Sequence, residues 1–393
     1  MKNPIYLVPI LAFFLFSCSG EKSAKRDRTA TENEVEKVIS EFEINLANSV
    51  GEDNIGSTSV SVFFGDKIVW SKAFGLANRD KKIQADTNTI YRTASISKTI
   101  TAYLMMLLVQ NGTINLEDPV SNYLPEIESL NHNGILDSNK ITFRHLASHT
   151  SGIEEEPELI GAASGPIAEW ESKVLHSIPT TRVTTIPGEQ FSYSNIGYGI
   201  LGLALSRAAK KPFMELVEEM IFHPLNMTNT FFIIPDKKED QVAAGYRWDA
   251  FDGTIDAEKA KREHLGRGYK VPNGGIYASP NDLARFLMAQ CGSSTLLSKK
   301  YIEMMQTIQT PESKEYGYGL GYCIRNNDKG IKMVEHDGGV AGYQAMMVFN
   351  PESKIGVVMM RNYDFGLTNI LLAPRTLLSQ LLKAESSRTS NLD

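Results

Sequence analysis

A serine and a lysine three positions apart, Ser95 and Lys98, stand at the start of an apolar segment that ends at Asn111-Gly112. The composition of residues 96–110 predicts a buried helix, and residues i and i+3 lie on one face of a helix. Lys98 is therefore expected beside the hydroxyl of Ser95. Because a serine hydroxyl is a poor nucleophile without a neighbouring base, the pair is a candidate for nucleophilic catalysis. Taken alone, the same residues also fit a helix-capping serine followed by a solvated lysine.

A second motif, Tyr193-Ser194-Asn195, follows the turn residues Pro187-Gly188 and precedes a predicted helix. In an extended segment the side chains of Tyr193 and Asn195 point the same way. A phenol, whose ordinary pKa is about 10, acts as a base when a nearby ammonium lowers that pKa. The motif supplies a candidate base, or, taken alone, a packed tyrosine and a helix-capping asparagine.

The third motif is His336-Asp337-Gly338-Gly339, predicted to lie at the end of one strand and before the next. Glycines at such a place let a substrate lie against the strand edge, and a backbone N–H there can stabilise an oxyanion. Taken alone, the motif also fits a glycine-rich turn with a surface histidine.

The elements that position these motifs come from the whole chain. A capping box at 31–34 predicts a helix to about residue 49, and two β-rich runs around Gly65-Asp66 predict a hairpin. Later helices are predicted at 142–148, 196–210, 213–222, 280–290 and within 367–383. Later strands are predicted at 318–325, 331–336, 343–349 and 355–361. This order predicts one antiparallel sheet built from both chain ends and flanked by helices, with a mostly helical lobe between them.

Together, and in this order, the three motifs resemble those of the serine β-lactamase and penicillin-binding-protein superfamily. The likeness is greatest to the class C-type branch, with its carboxylesterases, D-aminopeptidases and D-Ala-D-Ala carboxypeptidases. It extends over about residues 40–385, in blocks such as YRTASISKTITAYLMMLLVQNG, ITFRHLASHTSGI and EHDGGVAGYQAMMVFNPE. The resemblance implies the α/β (α+β) β-lactamase-like fold.

The resemblance also implies roles for the matched residues. Ser95 would be the acylated nucleophile, with Lys98 as its partner. Tyr193 would be the general base and then the acid that protonates the leaving group. Asn195 would orient Lys98 and the substrate, and no metal or organic cofactor is implied.

The third motif is implied to bind the substrate through His336 and Gly338, while the backbone N–H groups of Ser95 and Gly339 would form the oxyanion hole. This chain has His-Asp-Gly where β-lactamases commonly have Lys-Thr-Gly. A histidine is mostly neutral at pH 7, and Asp337 adds a negative charge in place of a hydroxyl. Efficient β-lactam hydrolysis is therefore not expected from this motif.

The predicted function is a serine hydrolase that acts through an acyl-enzyme on small esters, or on amides and peptides with D-residues. One alternative is a β-lactamase or D-Ala-D-Ala carboxypeptidase. Another is a non-catalytic binding or sensor lipoprotein of the same fold, against which the intact motifs argue. His145 and His149 have a spacing that can hold zinc, but no glutamate lies between them in the manner of a zinc protease, and they are expected to be structural.

The composition and net charge exclude some classes of protein and of binding partner. The 393 residues are 42% hydrophobic and 22% charged, which excludes fibrous and largely disordered chains. Forty basic residues against 46 acidic ones give a net charge of −6, which argues against a nucleic-acid partner. The expected partners are a small ester, amide or peptide substrate and a membrane.

The membrane prediction rests on the N-terminus. Lys2 and the apolar run 4–16 have the proportions of a signal peptide, too short to cross a bilayer, and Leu15-Phe16-Ser17-Cys18 resembles a bacterial lipobox. Lipidation of Cys18 would place the protein at the bacterial cell envelope, with the outer membrane favoured. The alternative is an ordinary secretory signal peptide that is cut nearby, with an incidental cysteine. The predicted organisation is a signal peptide over 1–17, a solvated tether over 18–31, the hydrolase domain over 32–385 and a tail over 386–393. Within that domain the sheet region comprises about 32–110 and 311–385, and the helical lobe about 111–310.

Overall fold

The computed structural model describes residues 20–132, 140–248, 253–258, 260, 267–311, 313–326 and 330–389. The predicted signal peptide and the lipobox cysteine Cys18 lie outside this part of the chain. Across the described ranges, no helix is both long enough and apolar enough to cross a membrane.

The described helices alternate with strands at both ends of the chain and dominate its middle. They are α1 (Gly20–Asp53), α2 (Ser97–Gln110), α3 (Phe143–Ala147), α4 (Trp170–Ser177), α5 (Asn195–Ala209), α6 (Phe213–Val217), α7 (Val271–Gly274), α8 (Pro280–Met288), α9 (Lys299–Met305) and α10 (Leu372–Thr389). The strands are β1 (Ser57–Phe64), β2 (Lys67–Asn78), β3 (Ile83–Gln84), β4 (Tyr91–Arg92), β5 (Thr230–Phe231), β6 (Arg247–Trp248), β7 (Ile255–Asp256), β8 (Tyr277–Ala278), β9 (Tyr316–Tyr318), β10 (Cys323–Asn326), β11 (Lys332–Val340), β12 (Tyr343–Asn350) and β13 (Ile355–Arg361).

Strands from the two chain ends form one sheet of eight strands in the order β3-β2-β1-β13-β12-β11-β10-β9. The pairing that joins the ends is β1 with β13, antiparallel, with Thr58 opposite Arg361 and Val62 opposite Val357. The predicted antiparallel sheet built from both chain ends is confirmed. A second sheet, β4-β8-β5, lies in the middle of the fold.

Alternating side chains along the sheet supply two separate cores. In β12, Met346 and Val348 pack with α1 and α10 on one face, whereas Met347 and Phe349 join the core shared with the helical lobe. This follows from the two-residue period of a strand, which sends successive side chains to opposite faces. Burying each such side chain stabilises the fold by about 1.5–3 kcal/mol. The sheet is thereby held between the terminal helices and the helices that carry the first two motifs.

Several predicted boundaries are wrong, for identifiable reasons. Helix α1 begins at Gly20 rather than at the predicted capping box 31–34, consistent with the Glu, Lys, Ala and Arg residues between them, which are good helix formers. The predicted strand 318–325 is two strands, because the chain reverses at Gly321, whose φ is +84°. Pro374 lies in the first turn of α10, where its missing N–H is not needed.

The largest correction concerns the third motif, which was predicted to lie between two strands. Strand β11 runs from Lys332 to Val340 and carries the whole motif within it, paired to β12 with His336 opposite Met347 and Gly339 opposite Gln344. Gly338 has no side chain to obstruct the neighbouring chain segment, so the strand continues where a turn was expected.

Candidate active site

The nucleophile candidate Ser95 lies in a tight 3₁₀ turn, Ala94–Ile96, directly before α2. Ala94 has a φ of +47°, a left-handed conformation that is unfavourable for a residue with a Cβ. Ser95 is half-buried, while the residues around it are buried. The turn therefore presents one serine hydroxyl at the positive end of a 14-residue helix.

Lys98 is fully buried and directs its ammonium at Ser95. Its Nζ donates hydrogen bonds to Ser95 Oγ at 3.1 Å, to Asn195 Oδ1 at 2.7 Å and to the backbone oxygen of Asn273 at 3.3 Å. Burial, followed by the positive charge of Lys270, lowers the pKa of Lys98 to about 7. At neutral pH a large fraction of Lys98 is thus an uncharged amine, able to accept a proton.

Tyr193 also contacts the serine, since its hydroxyl hydrogen-bonds to the Ser95 side chain. The Lys98 ammonium lies 4.7 Å from the centroid of the Tyr193 ring. Contrary to the expectation of an ammonium-lowered phenol, burial is the largest effect and raises the pKa of Tyr193 well above 10. The phenol therefore keeps its proton at neutral pH, and Lys98 is the better base in the resting site.

A buried histidine that was not predicted as a site residue, His149, packs against Tyr193. Its Nδ1 accepts a hydrogen bond from the Ser194 backbone N–H at 3.0 Å, and its ring lies 4.2 Å from the ring of Tyr193. The rings of Tyr198 and Tyr318 lie within 5.0 Å and 4.8 Å of it. His149 thus fixes both the backbone and the ring of the second motif.

His145 and His149, whose spacing could hold zinc, each hydrogen-bond to a backbone N–H in the described structure. His145 belongs to the capping box of α3, where its Nδ1 accepts from the Thr142 backbone N–H at 3.3 Å. In the described ranges, no group of three or more His, Cys, Asp or Glu side chains could hold a metal ion. The place of His149 in the family-like block ITFRHLASHTSGI could have indicated it as a site residue.

Asn195 connects Lys98 to a charged pair that the sequence did not indicate. Its Nδ2 donates to Glu156 Oε1 at 2.9 Å, and Glu156 in turn pairs with Lys270 at 2.8 Å. Asn273 Nδ2 donates to the backbone oxygen of Asn195 at 2.7 Å. The asparagine is therefore held from three sides, with its carbonyl aimed at Lys98.

The third motif is built into the site through its backbone. A Cβ on Gly338 would lie 3.2 Å from the backbone nitrogen of Ser95, so β11 and the nucleophile turn are in close contact. Gly339 has open space around it and lines the pocket beside Ser95. Both backbone N–H candidates for the oxyanion hole, Ser95 and Gly339, thus border the same space.

The His336 side chain is buried rather than presented to a ligand. Its Nε2 hydrogen-bonds with the Tyr318 hydroxyl at 2.8 Å and its Nδ1 with the Asp337 backbone oxygen at 2.6 Å. Burial lowers the pKa of His336 to about 4, so it is neutral at pH 7. Asp337 is exposed on the opposite face of the strand.

The pocket beside Ser95 has a volume of about 150 Å³. Polar and small residues surround it: Arg92, Ala94, Ser95, Ala163, Asn195, Arg267, Lys270, Asn273, Gly274, Gly339 and Val340. Of the predicted site residues, Ser95, Asn195 and Gly339 border this space. Lys98 and Tyr193 contact Ser95 from its buried side.

This chain belongs to the β-lactamase family, whose model matches residues 42–380. The predicted membership of the serine β-lactamase and penicillin-binding-protein superfamily is confirmed, as is the fold. One curated relative is Protein flp of Staphylococcus aureus, 26% identical over 323 residues, which are 81% of this chain and 62% of the relative. The chain thus spans about three fifths of the length of that relative.

Another relative is the D-alanyl-D-alanine-carboxypeptidase/endopeptidase AmpH of Escherichia coli, 26% identical over 307 residues and covering 74% of this chain and 75% of the relative. An octameric penicillin-binding protein homologue from Pyrococcus abyssi superposes with a TM-score of 0.71 and 26% identity, over 89% of this chain and 77% of that one. A class C beta-lactamase superposes with a TM-score of 0.70 and 20% identity, over 91% and 97% of the two chains, and shows the shared fold.

Proposed function

We propose that this chain is a serine hydrolase that works through an acyl-enzyme on small esters, or on amides and peptides with D-residues. The observation that carries the proposal is the contact of Ser95 with a buried amine. Lys98 Nζ lies 3.1 Å from Ser95 Oγ, and the pKa of Lys98 is lowered to about 7. A base with a pKa near the working pH is best suited to take the serine proton.

The proposed acylation begins when Ser95 Oγ attacks the substrate carbonyl carbon and its proton passes to the neutral amine of Lys98. The negative charge on the carbonyl oxygen is stabilised by the backbone N–H groups of Ser95 and Gly339. As the bond to the leaving group breaks, the Tyr193 hydroxyl donates a proton to it, and the proton held by Lys98 restores the phenol. Water then repeats the sequence on the ester of Ser95, which releases the acid and regenerates the serine.

A D-Ala-D-Ala carboxypeptidase is the second candidate, supported by the similarity to AmpH over three quarters of both chains. The third motif argues against it. A lysine there would offer a charged donor to a terminal carboxylate, whereas His336 is neutral and already bonded to Tyr318. Hydrolysis of a panel of nitrophenyl esters, D-amino-acid anilides, a chromogenic cephalosporin and muropeptides distinguishes the candidates.

The acyl-enzyme is tested by labelling with a fluorophosphonate and measuring intact mass. One adduct is expected on the wild type and none on Ser95→Ala. Ser97 offers a matched control, because it is a buried serine two positions away whose Oγ bonds to Thr93 Oγ1 and accepts from the Ile276 backbone N–H. Ser97→Ala should keep the adduct. An adduct that survives in Ser95→Ala contradicts the assignment.

We also propose that Cys18 is lipidated after removal of residues 1–17, which would hold the protein at the bacterial cell envelope. The support is the lipobox-like sequence Leu15-Phe16-Ser17-Cys18. Cys18→Ala should release the protein into the soluble fraction and abolish labelling by a palmitate analogue. Cys291→Ala removes a free thiol of the folded domain and should retain both properties. Unchanged membrane partitioning of Cys18→Ala would refute the lipid anchor.

A further inference from the structure

A buried arginine, Arg92, borders the pocket beside Ser95. Its exposed fraction is 6%, and its Nε and Nη1 atoms are buried and make no hydrogen bond within the described part of the chain. No carboxylate pairs with it there. A guanidinium is always charged at physiological pH and carries five N–H donors, so this arrangement leaves a strong anion-binding group unused.

The position of Arg92 is fixed by the small central sheet. Arg92 of β4 lies opposite Tyr277 of β8, and its Cζ lies 5.6 Å from the centroid of the Tyr277 ring. The Cζ of Arg267 lies 4.6 Å from the same ring. Arg267 is itself held by donation from Nη1 to the backbone oxygens of Phe232 and Gly275. Two guanidinium groups thus share one aromatic ring at the wall of the pocket.

The balance of charge in the pocket is positive. Three of its lining residues, Arg92, Arg267 and Lys270, are cationic, and no lining residue is acidic. Lys270 is compensated by its ion pair with Glu156. Neither arginine has a carboxylate partner in the described ranges. An unpaired buried charge is unfavourable, and an anion bound in the pocket that both arginines line would offset the cost of desolvation and reduce their mutual repulsion.

We propose that this pocket is a carboxylate-binding subsite and that Arg92 determines specificity for it. The proposal rests on the proposed function and deepens it. Tyr193, which would protonate the leaving group, does not border the pocket, whereas Asn195 does. The pocket therefore receives the acyl side of the substrate. Its volume of about 150 Å³ suits a short acyl group, so the expected substrates are esters or amides of short acids that end in a second carboxylate.

The kinetic test compares substrates matched in length but not in charge. Mono-p-nitrophenyl succinate and glutarate carry the carboxylate, and p-nitrophenyl butyrate and valerate are their neutral counterparts. The wild type should show a kcat/KM at least tenfold higher for the better anionic ester than for its neutral counterpart. A ratio near one, with the neutral esters hydrolysed, overturns the subsite while leaving the proposed function standing.

Substitution of the arginine tests its part directly. Arg92→Met keeps a long side chain without charge and should lower the anionic-to-neutral ratio at least tenfold, while Arg92→Lys should retain part of it. Arg207→Met is the matched control, since Arg207 lies near the end of α5 and pairs with Glu126. It should keep the wild-type ratio. An unchanged ratio in a folded Arg92→Met contradicts the proposal.

A binding measurement tests the carboxylate subsite independently of the proposed hydrolase function. Monomethyl glutarate and its neutral dimethyl ester are titrated calorimetrically into Ser95→Ala and into the double variant Ser95→Ala/Arg92→Met. Ser95→Ala should bind the anion at least tenfold more tightly than the dimethyl ester, and the second substitution should remove the difference. This readout holds even if no ester is hydrolysed, and equal binding of both compounds to Ser95→Ala overturns the subsite.

Discussion

A Cβ on Gly338 would lie 2.2 Å from the carbonyl oxygen of Thr93, so strand β11 contacts the nucleophile turn through backbone atoms. Thr93 directly precedes Ala94, whose left-handed φ of +47° starts the turn that carries Ser95. The geometry of the site therefore depends on the absence of a side chain at this glycine.

Gly338→Ala should lower the melting temperature and remove most of the esterase activity. The added methyl group meets a backbone oxygen, and overpacking of this kind costs about 1–3 kcal/mol or more. Gly339→Ala is the matched comparison, because a Cβ there meets nothing within 4 Å. Thermal unfolding of both variants checks the prediction, which is contradicted if the two lose similar stability.

The pH dependence of kcat/KM should report the titration of Lys98. Because the amine must be neutral to accept the Ser95 proton, kcat/KM for p-nitrophenyl acetate should fall about tenfold per pH unit below about 7 and level off above it. His336 is not the source of this limb, since burial lowers its pKa to about 4. His336→Gln should therefore keep the midpoint near 7, and loss of the limb in that variant would assign it to the histidine instead.

Neutralising Lys270 and neutralising Glu156 should shift the midpoint of the kcat/KM pH profile in opposite directions. The positive charge of Lys270 lowers the pKa of Lys98, whereas the negative charge of Glu156 raises it. Lys270→Gln should move the midpoint of the pH profile upward and Glu156→Gln should move it downward. Shifts of the same sign in both variants would show that the pair acts through structure rather than charge.

His149→Asn should lower kcat more than it changes KM, by roughly tenfold or more, since loosely held catalytic groups lose their productive geometry. Asparagine tolerates the left-handed backbone at this position, where φ is +58°, and can still accept the bond from the Ser194 N–H. What it lacks is the ring that stacks on Tyr193. Steady-state kinetics check the prediction, and an unchanged kcat contradicts the positioning role.

Substitutions in the third motif test whether it controls the preference between anionic and neutral substrates. His336→Lys combined with Asp337→Thr introduces a charged donor and removes an exposed carboxylate. The double variant should raise kcat/KM for an anionic cephalosporin about tenfold relative to p-nitrophenyl acetate, a difference of roughly 1.4 kcal/mol in the barrier. Chromogenic cephalosporin assays measure this ratio, and an unmoved ratio would mean that the third motif does not control it.

The sequence predicted those parts of the site that depend on local periodicity. Ser95 and Lys98 meet because they are three residues apart at the start of one helix, and the sheet strands were visible as β-rich runs. The Glu156–Lys270 pair was not predictable, because its members are 114 positions apart and meet only through tertiary folding. The raised pKa of Tyr193 was not predictable, because its largest cause is burial, which the sequence does not display.

Arg92 was not predictable as a site residue either, although it is close to Ser95 in the sequence. It lies three positions before Ser95, within the block that identified the nucleophile. Its contact with Tyr277 arises from the pairing of β4 with β8, whose residues are far apart in the chain. A charged residue beside a motif looks like an ordinary surface side chain until that pairing is known.

The pairing of β1 with β13 also constrains when the protein can fold. Ser57 and its hydrogen-bond partner Asn362 are 305 positions apart, so the first hairpin is synthesised long before the strand that completes its sheet. At about 5–20 residues per second, the wait is roughly 15–60 seconds. During that time the apolar side chains of Val60 and Val62 lack their final neighbours. The nascent chain must therefore stay unfolded or bound to a chaperone until its last strand emerges.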